Sequence, residues 1–255
     1  FILGVIDDIH PLRPRTKLIV QILAVAPLLA GGVTIKFFFP EWIGWIITGF
    51  WVVLLTNAFN LLDNMDGLCS GVAAIASGVL ALISALAGEF YMACMFALLA
   101  GGLVGFLRYN FNPARIFLGD SGSLTIGYLL ASLTVVATYY QKGVPTALPV
   151  LMPAIVLGVP LFDTISVMLI RWKAGKPLMQ GDTNHFSHRL LRLGMSVRQA
   201  ALFIYLTTLT MGLAAIPLQY LPLRAALAQT ALIVLLFVLI YLLERAGRQS
   251  NTRQP

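Results

Sequence analysis

Residues 42–67 read WIGWIITGFWVVLLTNAFNLLDNMDG, and they carry both a fold class and a candidate site. From Trp42 to Leu62 the stretch supplies the roughly 20 mostly apolar residues that a bilayer-crossing helix needs. It turns polar only at its end. Asn57, Asn60 and Asn64 stand at i, i+3 and i+7, which places all three on one helical face. Asp63 and Asp66 follow at the helix end, where Gly67 permits a sharp turn.

Outward from this segment the apolar pattern repeats. Eight candidate spans are expected, at about 18–39, 42–62, 69–87, 90–107, 117–140, 147–170, 200–217 and 225–243. Their connections are short except for the polar stretch from Arg171 to Gln199. Over 255 residues the chain is 59% hydrophobic and only 11% charged, with mean hydropathy +0.88. An ordinary soluble domain is about 45–50% apolar and about 25% charged. That excludes a water-soluble globular enzyme, a disordered chain and a disulfide scaffold. The expectation is an all-α polytopic transmembrane helical bundle forming a single integral-membrane domain over 1–255. The opening Phe1-Ile2-Leu3-Gly4 reads as the end of an earlier hydrophobic helix, so a fragment lacking its first spans is expected.

The charges give this bundle sides. Lys+Arg is 17 and Asp+Glu is 10, for a net charge of +7. In a membrane chain such a balance reflects loops facing anionic lipid rather than nucleic acid. With eight spans, fourteen of the basic residues fall on one side, while Lys36, Lys142 and Arg224 fall on the other. The positive-inside rule makes the first side cytoplasmic, which for a bacterial protein means the inner membrane. Asp7, Asp8, Asp63, Asp66, Asp120, Asp182 and Glu244 fall on that same side; Asp163 alone lies within a span. Acids do not follow the positive-inside rule, and intramembrane carboxylates are costly. Their clustering therefore indicates a site for a cation or protons at the cytoplasmic face. Cys69 and Cys94 sit in apolar runs and read as small core residues.

Four constellations carry the chemistry, each with a plainer alternative. Asp7 and Asp8 end an apolar run just before Arg13, Arg15 and Lys17; they could bind Mg²⁺ or accept a proton, or be a helix end neutralised by those cations. Asn57, Asn60, Asp63 and Asp66 offer hard oxygen ligands for Mg²⁺ or for ribose and base, whereas interhelical hydrogen bonding accounts for one or two of them. Asp120, in Gly119-Asp120-Ser121-Gly122-Ser123 at the start of a span, suits a metal that bridges protein to phosphate, or is only a helix cap. In the long loop from Gly181 to Arg192, His185, His188, Arg189 and Arg192 share one face if helical, flanked by Phe186, Leu190 and Leu193. That row suits phosphate recognition, or an amphipathic helix on anionic headgroups. Asp163, below a kink at Pro160, could line the site or pair with a buried arginine such as Arg108, and reads as a structural or supporting residue.

These four blocks, in this order, resemble the polyprenyl-phosphate N-acetylhexosamine-1-phosphate transferase family, over Gly4 to about Ala200. The motifs that carry the likeness are the Asp7-Asp8 pair, NAFNLLDNMDG, PARIFLGDSGS and HFSHRLLRLG. The resemblance implies 10 or 11 spans in a whole family member. It implies transfer of N-acetylhexosamine-1-phosphate, with GlcNAc favoured, from a UDP-sugar to undecaprenyl phosphate, releasing UMP. It implies Mg²⁺, with Mn²⁺ as a substitute, on Asn60 and Asp120. By the same likeness Asp7 and Asp8 serve the lipid phosphate, Asn57, Asp63 and Asp66 the nucleotide side, and His185, His188 and Arg189 the phosphate and sugar. A homodimer is left open. Where the common loop reads His-x-His-His, the third position here is Ser187, which sets the chain apart from the lipid I synthase branch. The main rival is a secondary transporter, whose site would lie near the midplane in broken helices; here only Asp163 is that deep.

Overall fold

The computed structural model of the chain describes residues 1–35, 40–139, 145–176 and 184–251, with backbone alone from 243 onward. Among these residues there are helices and no strands. In order they are α1 (Ile2–Ile9), α2 (Pro14–Ala30), α3 (Glu41–Leu62), α4 (Leu68–Leu86), α5 (Phe90–Asn110), α6 (Gly119–Val136), α7 (Met152–Val156), α8 (Gly158–Lys173), α9 (Phe186–Arg192), α10 (Val197–Ala215) and α11 (Leu223–Asn251). Short 3₁₀ turns precede α7 at Leu148–Leu151 and follow α10 at Ile216–Gln219. The chain forms two compact units, Phe1–Thr138 and Tyr139–Pro255.

Length and apolarity qualify five helical segments to cross a membrane: Glu41–Leu62, Leu68–Leu86, Phe90–Asn110, Val197–Gln219 and Leu223–Leu242. The pair Leu148–Val156 and Gly158–Lys173, bent by 73°, makes up to six. Two of the eight expected spans fall short on simple grounds. Helix α2 has 17 residues, and the polar Gly-Asp-Ser-Gly-Ser opening of the 18-residue α6 dilutes its hydropathy. The bend between α7 and α8 falls where Pro160 requires it, because a proline ring clashes with the carbonyl four residues back, at Val156.

In the first unit α4 is the buried helix: 72% of its span lies inside the protein, against 17% for α5. It carries small residues along its length, including Ser70, Ala73, Ala76, Ser77 and Ser84, so neighbouring backbones can approach closely. Helix α5 packs along it, while α3 packs on α6 and α1 on the start of α6. Phe50, Phe90, Tyr91 and Leu98 stay exposed on α3 and α5. Such apolar faces on span-length helices are at home in lipid, and the chain is an integral membrane protein. In the second unit α10 is the hub, touching α7, α8, α9 and α11.

Candidate active site

Three helices of the first unit meet around the start of α6. Gly4 lets α1 in: a Cβ there would stand 2.5 Å from the Asp120 carbonyl oxygen, so only glycine fits. One turn later Asp7 and Asp8 leave α1 beside that helix start. Asp8 Oδ1 accepts the Asp120 N–H (2.8 Å) and Oδ2 the Ser121 N–H (3.0 Å). Asp8 thus caps α6 from another helix, supplying its orphan donors and a negative charge at the positive end of the dipole. Burial would push the Asp8 carboxyl up, but the Ser121 and Asp120 hydrogen bonds outweigh it and hold it below its ordinary value. The anion on this helix N-terminus is the protein's own.

Asp7 serves different partners. It is 7% exposed, accepts the Leu12 N–H at 2.6 Å and pairs with the Lys17 ammonium. Lys17 Nζ also donates to Asp120 Oδ2 at 2.6 Å, so one ammonium ties α1, α2 and α6. The second carboxylate oxygen of Asp120 accepts from Asn60 Nδ2 (2.9 Å), which also donates to Ser123 Oγ (3.0 Å). That reach from α3 to α6 depends on Gly127, where a Cβ would come within 2.7 Å of Thr56 Cα. Asp7, Asn60 and Asp120 are therefore brought together as the sequence suggests. Lys17 joins them, and the neutralised-helix-end reading of the Asp pair holds in part.

The rest of the α3 block divides. Asp63 sits at the C-cap of α3 with its carboxyl pushed up to about 7, first by burial and then by the negative charges of Asp120, Asp8 and Asp66. Asp66 instead accepts from Asn112 Nδ2 (3.0 Å) and Ala114 N–H (3.1 Å), holding the α5–α6 loop. Asn57 exchanges hydrogen bonds with Gln21 of α2 (2.6 and 3.3 Å) and bonds the Val53 carbonyl, the interhelical role weighed against a ligand role. Asn64 lies beyond α3 and donates to the Leu61 carbonyl (2.7 Å), so the shared asparagine face ends at Asn60. Gly67, at φ 73°, makes the expected turn into α4.

Lys17 and Gln21 were not singled out from the sequence as site residues. The signal was there: they stand four apart on α2, hence on one face, beside the Asp pair.

The oxygen-rich set around Asp120 fits Mg²⁺. Asn60 commits its N–H donors to Asp120 and Ser123, which leaves its carbonyl oxygen for a cation, and Asp63 feels an excess of negative charge. Among the described residues no three His, Cys, Asp or Glu side chains converge as a cage. Mg²⁺ commonly takes one or two carboxylates and completes its shell with water and substrate phosphate.

The second unit holds the histidine–arginine block. Helix α9 begins at Phe186, so His185 is its N-cap and only His188, Arg189 and Arg192 ride the helix. His185 is 4% exposed and its Nδ1 lies 2.9 Å from Asp163 Oδ2. Asp163 Oδ1 accepts the Phe186 N–H at 2.5 Å. Arg189, 2% exposed, donates through both terminal nitrogens to Ser166 Oγ (2.9 and 3.0 Å) and lies against the Phe162 and Phe186 rings. A guanidinium so enclosed does not rest on lipid headgroups. His188 is half-buried; burial first, and then its basic neighbours His185 and Arg192, lower its pKa. Arg192 is exposed and bonds Asn184 Oδ1 at 3.3 Å. Phe186 and Leu190 form the expected buried flank, and Ser187 packs inside with them. Gly181, Asp182 and Thr183 lie outside the described residues.

Known proteins resemble the chain in sequence. The chain is 33% identical over 227 residues to a Bacillus subtilis protein described as a probable undecaprenyl-phosphate N-acetylglucosaminyl 1-phosphate transferase, covering 86% of this chain and 63% of that one. It is 34% identical over 231 residues to a decaprenyl-phosphate N-acetylglucosaminephosphotransferase of Mycolicibacterium smegmatis (80% and 57%). It is 25% identical over 260 residues to an undecaprenyl-phosphate alpha-N-acetylglucosaminyl 1-phosphate transferase of Yersinia pestis (96% and 70%). The chain thus spans less than two thirds of the length of the first two. The model of the family described as glycosyl transferase family 4 matches residues 1–138, which are the whole first unit with its carboxylate cluster. By that match, which takes in more than half of its residues, the chain belongs to glycosyl transferase family 4.

Proposed function

We propose that the protein transfers N-acetylhexosamine-1-phosphate, with GlcNAc the favoured sugar, from its UDP-activated form to undecaprenyl phosphate and releases UMP. The observation that carries this reading is the junction of Asp7, Asn60, Asp63 and Asp120 around Lys17, inside the family-matched unit. The relatives' names speak of polyprenyl-phosphate acceptors and GlcNAc-phosphate transfer, which favours a transferase over a transporter.

Both substrates are anions, and their approach needs compensating positive charge. Mg²⁺ held by Asp120 and the Asn60 carbonyl oxygen, with Mn²⁺ as a substitute, would neutralise the sugar nucleotide's diphosphate and polarise its phosphoryl oxygens. Lys17, held between Asp7 and Asp120, adds an ammonium beside the acceptor phosphate. Asp7 orients or deprotonates that phosphate, while Asp8 keeps the start of α6 in place. We assign His185, His188 and Arg189 to the phosphate and sugar by the family likeness, and Arg192 by its place beside His188 and Arg189 on α9.

The finer membrane reading is part of the proposal. α2, α6 and the bent α7–α8 pair complete eight spans within the bundle. The basic loops and the carboxylate junction then face the cytoplasm at a bacterial inner membrane.

The test is Mg²⁺-dependent UMP release by the full-length protein in detergent, supplied with undecaprenyl phosphate and UDP-GlcNAc. UMP that appears only with both substrates and metal is the expected result. Folded protein that releases none, from this or other UDP-N-acetylhexosamines, overturns the proposal.

A further inference from the structure

Asp163 lies buried on α8, 1% exposed. Its two oxygens serve two different groups: Oδ1 takes the Phe186 N–H at 2.5 Å and Oδ2 faces His185 Nδ1 at 2.9 Å. The arrangement is braced on either side. Phe162, the preceding residue, meets the Phe186 ring edge-on (centroids 5.5 Å, 83°), and Ser166, one turn on, receives Arg189. Helix α9 is therefore held in register against α8, and the His185 ring has one edge committed.

An ionised carboxylate can only accept hydrogen bonds, so the imidazole nitrogen facing it must carry a proton. A neutral imidazole with its proton on Nδ1 presents Nε2 as a bare acceptor. We propose that Asp163 is a positioning residue that fixes His185 in the Nδ1–H tautomer, making Nε2 the acceptor nitrogen that His185 brings to phosphosugar transfer. This rests on the transferase reading above.

The geometry supplies a variant that separates the tautomer from the fold. In Asp163→Asn the Phe186 N–H, which can only donate, claims the amide oxygen. The amide NH₂ then faces His185 Nδ1, which has to accept, and the proton moves to Nε2. The cap of α9 survives while the acceptor at Nε2 is lost.

The test has two parts. First, ¹⁵N–¹H correlation spectra of the full-length protein in detergent, labelled at the histidine ring nitrogens, report the tautomer of His185, whose signal is identified by its loss in His185→Gln. The expected wild-type ring is neutral with its proton on Nδ1; a proton on Nε2, or on both nitrogens at neutral pH, overturns the proposal whatever the variants do. Second, Asp163→Asn should melt within a few degrees of wild type, show the proton on Nε2, and lose about 10–100-fold in kcat for UMP release with KM little changed. An Asp163→Asn protein with the swapped tautomer and wild-type kcat also overturns it. If the wild type releases no UMP at all, the transferase reading fails instead, and the spectra still decide the tautomer.

Discussion

At the scale of single residues, the carboxylates near the start of α6 have different jobs despite similar surroundings. Asp8 is spent on backbone N–H groups, Asp7 on Lys17 and Leu12, and Asp63 carries the cost of crowding. Its folded pKa of about 7 lies above the ordinary 3.8. The folded state thus holds a proton that the unfolded chain has released between those values. That stabilisation is complete below about pH 4 and is lost as pH rises through 7. In metal-free protein, Asp63→Asn should remove the loss and raise stability at pH 8 by at most about 4 kcal/mol, at roughly 1.4 kcal/mol per pH unit. Thermal melts at pH 5 and pH 8 with EDTA check this; an equal effect at both pH values counts against it. Asp120→Asn keeps the shape and removes the charge, so Mg²⁺-dependent UMP release should vanish from a protein that still melts cooperatively. Near-normal turnover would take Asp120 out of the metal site. Arg189→Lys loses the flat contact with two rings and the paired bonds to Ser166, so a loss of about 1–2 kcal/mol in stability is expected along with reduced turnover. Unchanged kcat and KM would detach Arg189 from function.

At the scale of helices, the site is set by where backbones are allowed to touch. At Gly4 and Gly127 the backbones of α1 and α3 come against α6, and each lies about one turn from a site residue: Gly4 from Asp7 and Asp8, Gly127 from Ser123. Gly4→Val should push α1 off α6, costing about 1–3 kcal/mol by overpacking and uncapping α6. UMP release should fall with it even though no reactive group has changed, and kinetics beside a melting curve check both effects. Gly67 and the polar sequence after Leu62 were legible as a helix end, and so was the break ahead of Pro160. The α9 boundary was less so. His185 counted as helical by spacing, yet it stands at the N-cap because Asp163 takes the first helical N–H. A side chain on a distant helix made that choice, and no periodicity contains it.

At the scale of the whole chain, the apolar segments and the exposed aromatic faces of α3 and α5 make a protein of the bilayer. Its sidedness is open to direct test. In a protein with Cys69 and Cys94 replaced by serine, Arg115→Cys on the exposed α5–α6 loop should react with a membrane-impermeant maleimide only in inside-out vesicles. Labelling from intact cells would invert the proposed orientation. The family match ends with the first unit, while the histidine–arginine block belongs to the second. Each unit carries a buried or half-buried polar cluster built from its own helices.

The sequence by itself determined the membrane class, the helical fold and the residue types of the site, because hydropathy and spacing are local properties that survive without a fold. The clustering of acids on one side pointed to a site there, and the family resemblance put Asp7, Asn60 and Asp120 into it. Only the tertiary structure decided their roles. It made Asp8 a cap and Lys17 a bridge, gave Asn57 to Gln21 and Asp66 to a loop, and turned Arg189 inward. It also handed Asp163 to His185. Those outcomes depend on which helix lies against which, at distances of a few ångströms, and a hydrogen bond across 112 residues leaves no trace in the spacing along the chain.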